Sequence, residues 1–302
     1  MAKRISPFTD FGFKFIFGQE DNKELLIDFL NTLLADEPGF EKIEDVSYND
    51  KEHPKGPLSE RGVIYDIKCT TSSGKFFIVE MQNASQDYFI DRSVYYASRS
   101  VVAQARSGKD WNYQYKPVYV VAFLNFTMEV LGESVRTDVA LCDLDTHKPV
   151  SDKMRFVYIQ VPLFKKTEEE CIGILDYWLY NIKNMENMKN IAFTQQHRIF
   201  QRLESVTNYA NLSPEQRLAY DEDLKIYRDF QNCIASSLRR GYNEGHEKGM
   251  AQGREEGLEK GLKAGREEGK INTIQQLLNS GMPIETIASA LQMSVEEIRN
   301  LI

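Results

Sequence analysis

Long apolar runs are missing from this chain of 302 residues: the longest, at 118–124, is far below the ~20 residues of a helical membrane span. Behind the charged start Lys3-Arg4 there is no apolar stretch either, so no secretory signal is expected. Cysteine is scarce and scattered. Cys69, Cys142, Cys171 and Cys233 form no C-x-x-C pair, which argues against a disulfide framework and fits reduced thiols in a cytoplasmic protein. His53, His197 and His246 are isolated, and the neighbouring Cys142, Asp143, Asp145 and His147 match no zinc spacing. No glycine-rich phosphate loop follows a strand. Basic charge is in deficit, 37 Lys+Arg against 45 Asp+Glu for a net of −8, which disfavours a simple cationic coat on nucleic acid.

What the chain does have is glycine at a fixed period. Eight of its 18 glycines stand at 241, 245, 249, 253, 257, 261, 265 and 269, separated mostly by Glu, Lys and Arg. In an isolated helix these would cost roughly 6–8 kcal/mol relative to alanine. A spacing of four drifts by about 40° per repeat on a helix turning about 100° per residue, so the stripe winds around the helix. Two such helices in contact would wrap with a right-handed twist. By composition the array reads as a semi-flexible, partly helical linker.

Four regions follow from this: 1–165 with mixed helix and strand signals, 166–240 helical, the glycine-repeat linker 241–270, and a three-helix tail 271–302. In the first, Leu25, Leu26, Phe29, Leu30 and Leu33 have helical spacing, and 36–57 is polar connection. Strands are expected at 63–70, 75–82, 118–125 and 155–164, with a helix at 86–106 ending near Gly108. In the tail, Gly281 is placed to cap a helix at 271–279, and Ser294-x-x-Glu297 is a capping box for the last. That tail carries Glu296 and Glu297 against Arg299, a poor surface for a DNA groove, and reads as a packing or assembly unit.

The hairpin at 63–82 carries the chemistry. Period-two alternation puts Ile64, Asp66, Lys68 and Thr70 on one face, and Phe76, Ile78, Glu80 and Gln82 on one face of the return strand. If Ser72-Ser73-Gly74 is the loop, its centre is Ser73, and Asp66 lies opposite Glu80. Two facing carboxylates among apolar neighbours repel and lose hydration. A shared proton, a divalent cation such as Mg²⁺ or Mn²⁺, or Lys68 could each compensate. The same residues also fit an ordinary solvated face. Against that, Glu80 interrupts Phe76-Phe77-Ile78-Val79, where a core prefers an apolar residue.

Ile64-Tyr65-Asp66-Ile67, followed after the turn by Phe77-Ile78-Val79-Glu80-Met81-Gln82, resembles the PD-(D/E)XK nuclease superfamily. The nearer resemblance is to its transposase-like branch, the recombination-promoting nuclease (Rpn) family. The opening Asp10-Phe11-Gly12-Phe13-Lys14-x-x-Phe17-Gly18 and the Glu/Lys/Gly repeat tail add to it. The resemblance implies an α/β, restriction-endonuclease-like core with a small mixed sheet flanked by helices, then a helical region and a helical C-terminal tail. It also implies Mg²⁺-dependent hydrolysis of DNA, Mn²⁺ being an alternative metal. Asp66 and Glu80 would bind the metal, and Asp66, Glu80 and Gln82 would form the catalytic set.

Gln82 departs from the lysine usual two residues after the acid. An amide can orient water or hold phosphate but carries no charge, so Lys14 and Lys68 are the candidate substitutes. Arg92 and Tyr96, four apart on a helix, can turn together to a backbone phosphate, with Arg99 further along. DNA contact is thus expected at Lys14, Lys68, Arg92, Tyr96 and Arg99. Residues 1–60 carry 13 acids and 7 bases, whereas 61–130 carry 6 acids and 8 bases, so the motif region is locally basic. The rival reading is a decayed nuclease that binds DNA or assembles through its tail, where homo-oligomer formation is expected. No membrane partner is expected.

Overall fold

The computed structural model describes residues 3–37, 39–49, 52–53, 63–105 and 112–301. The chain divides into two compact units, Met1–Asp229 and Phe230–Ile302. In the first, α1 (Asp10–Phe17) and α2 (Lys23–Leu33) precede β1 (Val46–Tyr48), the short pair β2 (Glu52–His53) and β3 (Val63–Ile64), then β4 (Ile67–Thr71) and β5 (Phe76–Gln82). After them come α3 (Phe89–Val102), β6 (Val118–Leu124), β7 (Arg136–Ala140), β8 (Met154–Gln160), α4 (Ile174–Asn184) and α5 (Arg198–Thr207). The last helix to enter this unit is α6 (Pro214–Asn279), through residues 214–229.

Six strands form one mixed sheet in the order β1-β4-β5-β6-β8-β7. Its centre is the parallel trio β5, β6 and β8. Parallel strands are covered on both faces, and all of β6, Val-Tyr-Val-Val-Ala-Phe-Leu, is accordingly buried. One face carries Phe77, Val79, Val121 and Phe123 against the helices α1, α2, α4 and α5, with Trp178 wedged among Phe17, Phe29 and Phe200. Ile78, Val120 and Tyr158 on the other face meet Phe89 and Ala97 of α3. The apolar stripe of α2 is buried as its spacing predicts, with Leu25, Leu26, Phe29, Leu30 and Leu33 all inside. This is the α/β, restriction-endonuclease-like arrangement of a mixed sheet flanked by helices.

The strand expected at 155–164 ends at Gln160, before a 3-10 turn at Val161–Leu163, and other expectations change. The strand expected at 63–70 is broken at Tyr65 and Asp66, where the chain leaves the β2–β3 pair and bends into β4. Buried Tyr65 then packs edge-to-face on Tyr96 of α3, ring centroids 5.2 Å apart. Within 36–57, Val46–Tyr48 forms an edge strand too short to show alternation. The edge strand β7 is mostly exposed, and its Arg-Thr-Asp-Val-Ala carries no strand-like apolar pattern. Residues 38, 50–51 and 54–57 of the expected connection, the side chain of Ile64, and Arg106 and Gly108 at the expected helix end lie outside the described residues.

In the second unit the glycine array lies within continuous helix, because α6 runs on to Asn279. The segment 271–279 is the end of that helix. Gly281, at φ +85°, ends it in a conformation suited to glycine. The helices α7 (Ile284–Leu291) and α8 (Val295–Leu301) close over Ile274, Ile287, Ala288 and Ile298. The capping box forms: Glu297 N donates to Ser294 Oγ (3.1 Å), and Ser294 N to Glu297 Oε2 (2.7 Å).

Candidate active site

The turn sets the geometry. Gly74 takes φ +84°, which a three-residue loop closing on β5 requires, and Gly74 N donates to Thr71 O. Ile67 then pairs with Val79, Lys68 with Ile78 and Thr70 with Phe76, each pair summing to 146. Continued by one residue, that register sets Asp66 opposite Glu80. Asp66 N donates to Glu80 Oε1 (3.2 Å), and Met81 N donates to Asp66 Oδ2 (2.9 Å). Gln82 joins them, its Nε2 donating to Glu80 Oε2 (3.3 Å). Asp66, Glu80 and Gln82 are therefore one hydrogen-bonded cluster.

Its electrostatics are unfavourable to charge. Glu80 is only 3% exposed. Burial, and then the neighbouring Asp66 carboxylate, push its proton affinity well above the ordinary carboxylate range. Burial raises Asp66 as well, opposed by the Met81 N–H and by the positive field of Lys14. Arg92 pulls down on both acids. Holding both groups ionised thus requires more positive charge than a buried strand supplies.

The cations approach from two helices. Lys14, on α1, is paired with Asp10 at 2.5 Å. Two contacts place α1 across the ends of the hairpin strands. A side chain on Gly18 would meet Ile67 at 3.3 Å, and Asn83 Nδ2 donates to Phe8 O (2.6 Å). On α3, the Arg92 guanidinium lies 4.9 Å from the Phe89 ring centroid and 5.7 Å from that of Tyr96, and donates to Gln86 Oε1 (2.6 Å). The expected Arg92–Tyr96 pairing on one helix face is present. Arg99, one turn beyond Tyr96, is half-buried. Lys68 is buried, with Nζ 5.3 Å from the centroid of Tyr65.

Residues that the sequence reading passed over complete the setting. Asn83 and Asn125 stand at the carboxyl ends of parallel β5 and β6, where open α/β sheets place ligands. Asn125 Nδ2 reaches both Asn83 Oδ1 and Tyr227 Oη at 3.3 Å. Asp223 Oδ2 accepts from Phe11 N (2.7 Å). An Asn directly after each apolar strand is the one signal that could have drawn attention to this edge. Among the described residues no group of three or more His, Cys, Asp or Glu side chains could hold a metal. The loop at 142–147 is a turn, in which Asp143 Oδ1 accepts from Thr146 N.

A family model described as "PD-(D/E)XK nuclease family transposase" matches residues 7–237. No curated protein and no solved structure matches the chain.

Proposed function

Because the chain belongs to the PD-(D/E)XK nuclease family of transposases, we propose that it is a Mg²⁺-dependent DNA endonuclease acting in the cytoplasm, with Asp66 and Glu80 as metal ligands. One observation carries this reading: two carboxylates held against each other in a buried setting that raises the proton affinity of both. Burying two like charges side by side weakens a fold, so the pair is best understood as serving a ligand.

The donor set suits a hard divalent cation. Mg²⁺ is commonly held by one or two carboxylates, completing its shell with water and substrate phosphate oxygens, and Mn²⁺ accepts the same oxygen donors. Such an ion, when bound, offsets charge on the phosphoryl oxygens and acidifies a water.

The chain's own residues do the positioning. Gln82, tied through Nε2 to Glu80, keeps an amide oxygen able to orient a water molecule, but it cannot take up a proton at neutral pH. Arg92 offers its two-pronged guanidinium to a phosphate, and Tyr96, its ring centroid 5.7 Å from that guanidinium, adds a hydroxyl. From α1, Lys14 supplies the charge that Gln82 lacks. Lys68, turned to the Tyr65 ring, supports the wall of the site, and Arg99 extends the basic face of α3.

The test is supercoiled plasmid incubated with the protein and Mg²⁺, beside Glu80→Ala and an EDTA control. Nicking that both remove is the expected result, with a loss of about 10²–10³-fold in the variant. Intact plasmid with Mg²⁺ and with Mn²⁺ would sink the nuclease reading and favour binding or assembly through the tail.

A further inference from the structure

A cavity of about 350 Å³ lies between α1 and the first turns of α6, lined by Asp10, Phe11, Lys14, Phe15, Gln19 and Asp223. Nothing in the proposed hydrolysis uses Phe11, Phe15 or Asp223. The rings of Phe11 and Phe15 lie 5.4 Å apart and within 12° of parallel, one turn apart on α1 and both half-buried. They form a slipped stack that Tyr220 extends on the Phe11 side, ring centroids 5.9 Å apart. Asp223 is held in place by Phe11 N, and partial burial raises its proton affinity. Lys14 sits at the junction with the candidate active site: it lines this cavity, pairs with Asp10, and its field reaches Asp66 and Glu80.

We infer that this cavity receives one unpaired base of the substrate strand whose phosphate lies at Asp66 and Glu80, so that the substrate is single-stranded or locally melted DNA. The inference rests on the nuclease reading above and names its substrate class. The volume falls at the small end of ligand sites (~300–1,000 Å³), which suits a single base. An aromatic stack takes the π face of any base against its terminal ring, here Phe15. A carboxylate rejects phosphate and accepts N–H donors, so Asp223 turns the backbone away and favours bases bearing an amino group over thymine, whose one N–H is flanked by two carbonyl oxygens. Inside a duplex those faces and edges are already occupied, and the base must leave the stack to enter.

Fluorescence anisotropy with the full chain, Ca²⁺ replacing Mg²⁺ to suppress cleavage, tests this on a short labelled single strand and on its duplex. The wild type should bind the single strand more tightly. Phe15→Leu keeps apolar volume but loses the π face. It should weaken single-strand binding about tenfold and leave duplex binding unchanged, while Phe15→Tyr should keep wild-type affinity. Asp223→Asn, which retains an acceptor for Phe11 N, should lose the preference for amino-bearing bases over a thymine-only strand, and it carries the test if Phe15→Leu fails to melt like the wild type. Wild-type binding by both Phe15→Leu and Asp223→Asn overturns the base pocket, and plasmid nicking in Mg²⁺ would still leave the nuclease standing. A wild type that neither binds nor nicks DNA overturns both.

Discussion

Glycine means opposite things in the two units. In the first, a Cβ on Gly12 would lie 2.0 Å from Ser6 O and 2.7 Å from Thr9 Oγ1, so only glycine lets α1 pack this closely on the turn before it. In the second, a Cβ on any glycine from Gly241 to Gly269 would meet no atom within 4 Å among the described residues. Those eight positions carry the helix penalty of glycine with no steric reason in the monomer. The carboxylate pair shows a similar economy reversed: the packed unit keeps buried two groups that weaken it. In the first unit packing overrides a local preference; in the second, nothing among the described residues calls for the glycines.

The largest effect that could break this contrast is at Gly12. Gly12→Ala should cost about 3 kcal/mol, the upper end of overpacking, read as a lower midpoint in denaturant. A wild-type midpoint would mean that the close approach to Ser6 is not demanded.

Next comes the carboxylate pair. Acids whose proton affinity is raised by folding stabilise the protein when protonated. Without metal, the pair's contribution to stability should therefore be fully present below the unfolded values of ~4 and be lost as pH rises through the raised folded values. The slope is at most about 1.4 kcal/mol per pH unit for each group. Thermal melting from pH 5 to 8 checks the sign. Glu80→Gln should flatten the curve, and millimolar Mg²⁺ should restore stability mainly at the alkaline end. A profile that rises with pH would refute the buried pair.

Smallest is the tail. Gly257→Ala should stabilise the local helix by about 1 kcal/mol, slowing amide exchange in residues 250–265 about fivefold. Faster exchange would show that the glycines are held by a close contact with another chain, and would make the two units alike.

Much of the hairpin was readable because it is local. A three-residue loop with glycine last determines register, and register sets Asp66 opposite Glu80. The faces of α2 and β5 follow from period alone. The bend at Asp66 was not readable, since Val63 to Thr71 alternates well enough for one strand. It arises because residues 63–64 pair with β2 while residues 67–71 pair with β1 and β5. Lys68 shares the expected face with Asp66, yet its ammonium lies near Tyr65.

By itself, then, the sequence determined the hairpin register, the buried helix faces, the helix caps and the four-residue glycine period, all of which depend on neighbours a few residues apart. Only the tertiary structure decided that Asp10, Lys14, Asn83, Arg92, Asn125, Asp223 and Tyr227 gather around one end of the sheet. Their separations in the chain exceed any local period, and burial, which gives the two carboxylates their chemistry, belongs to the packed whole.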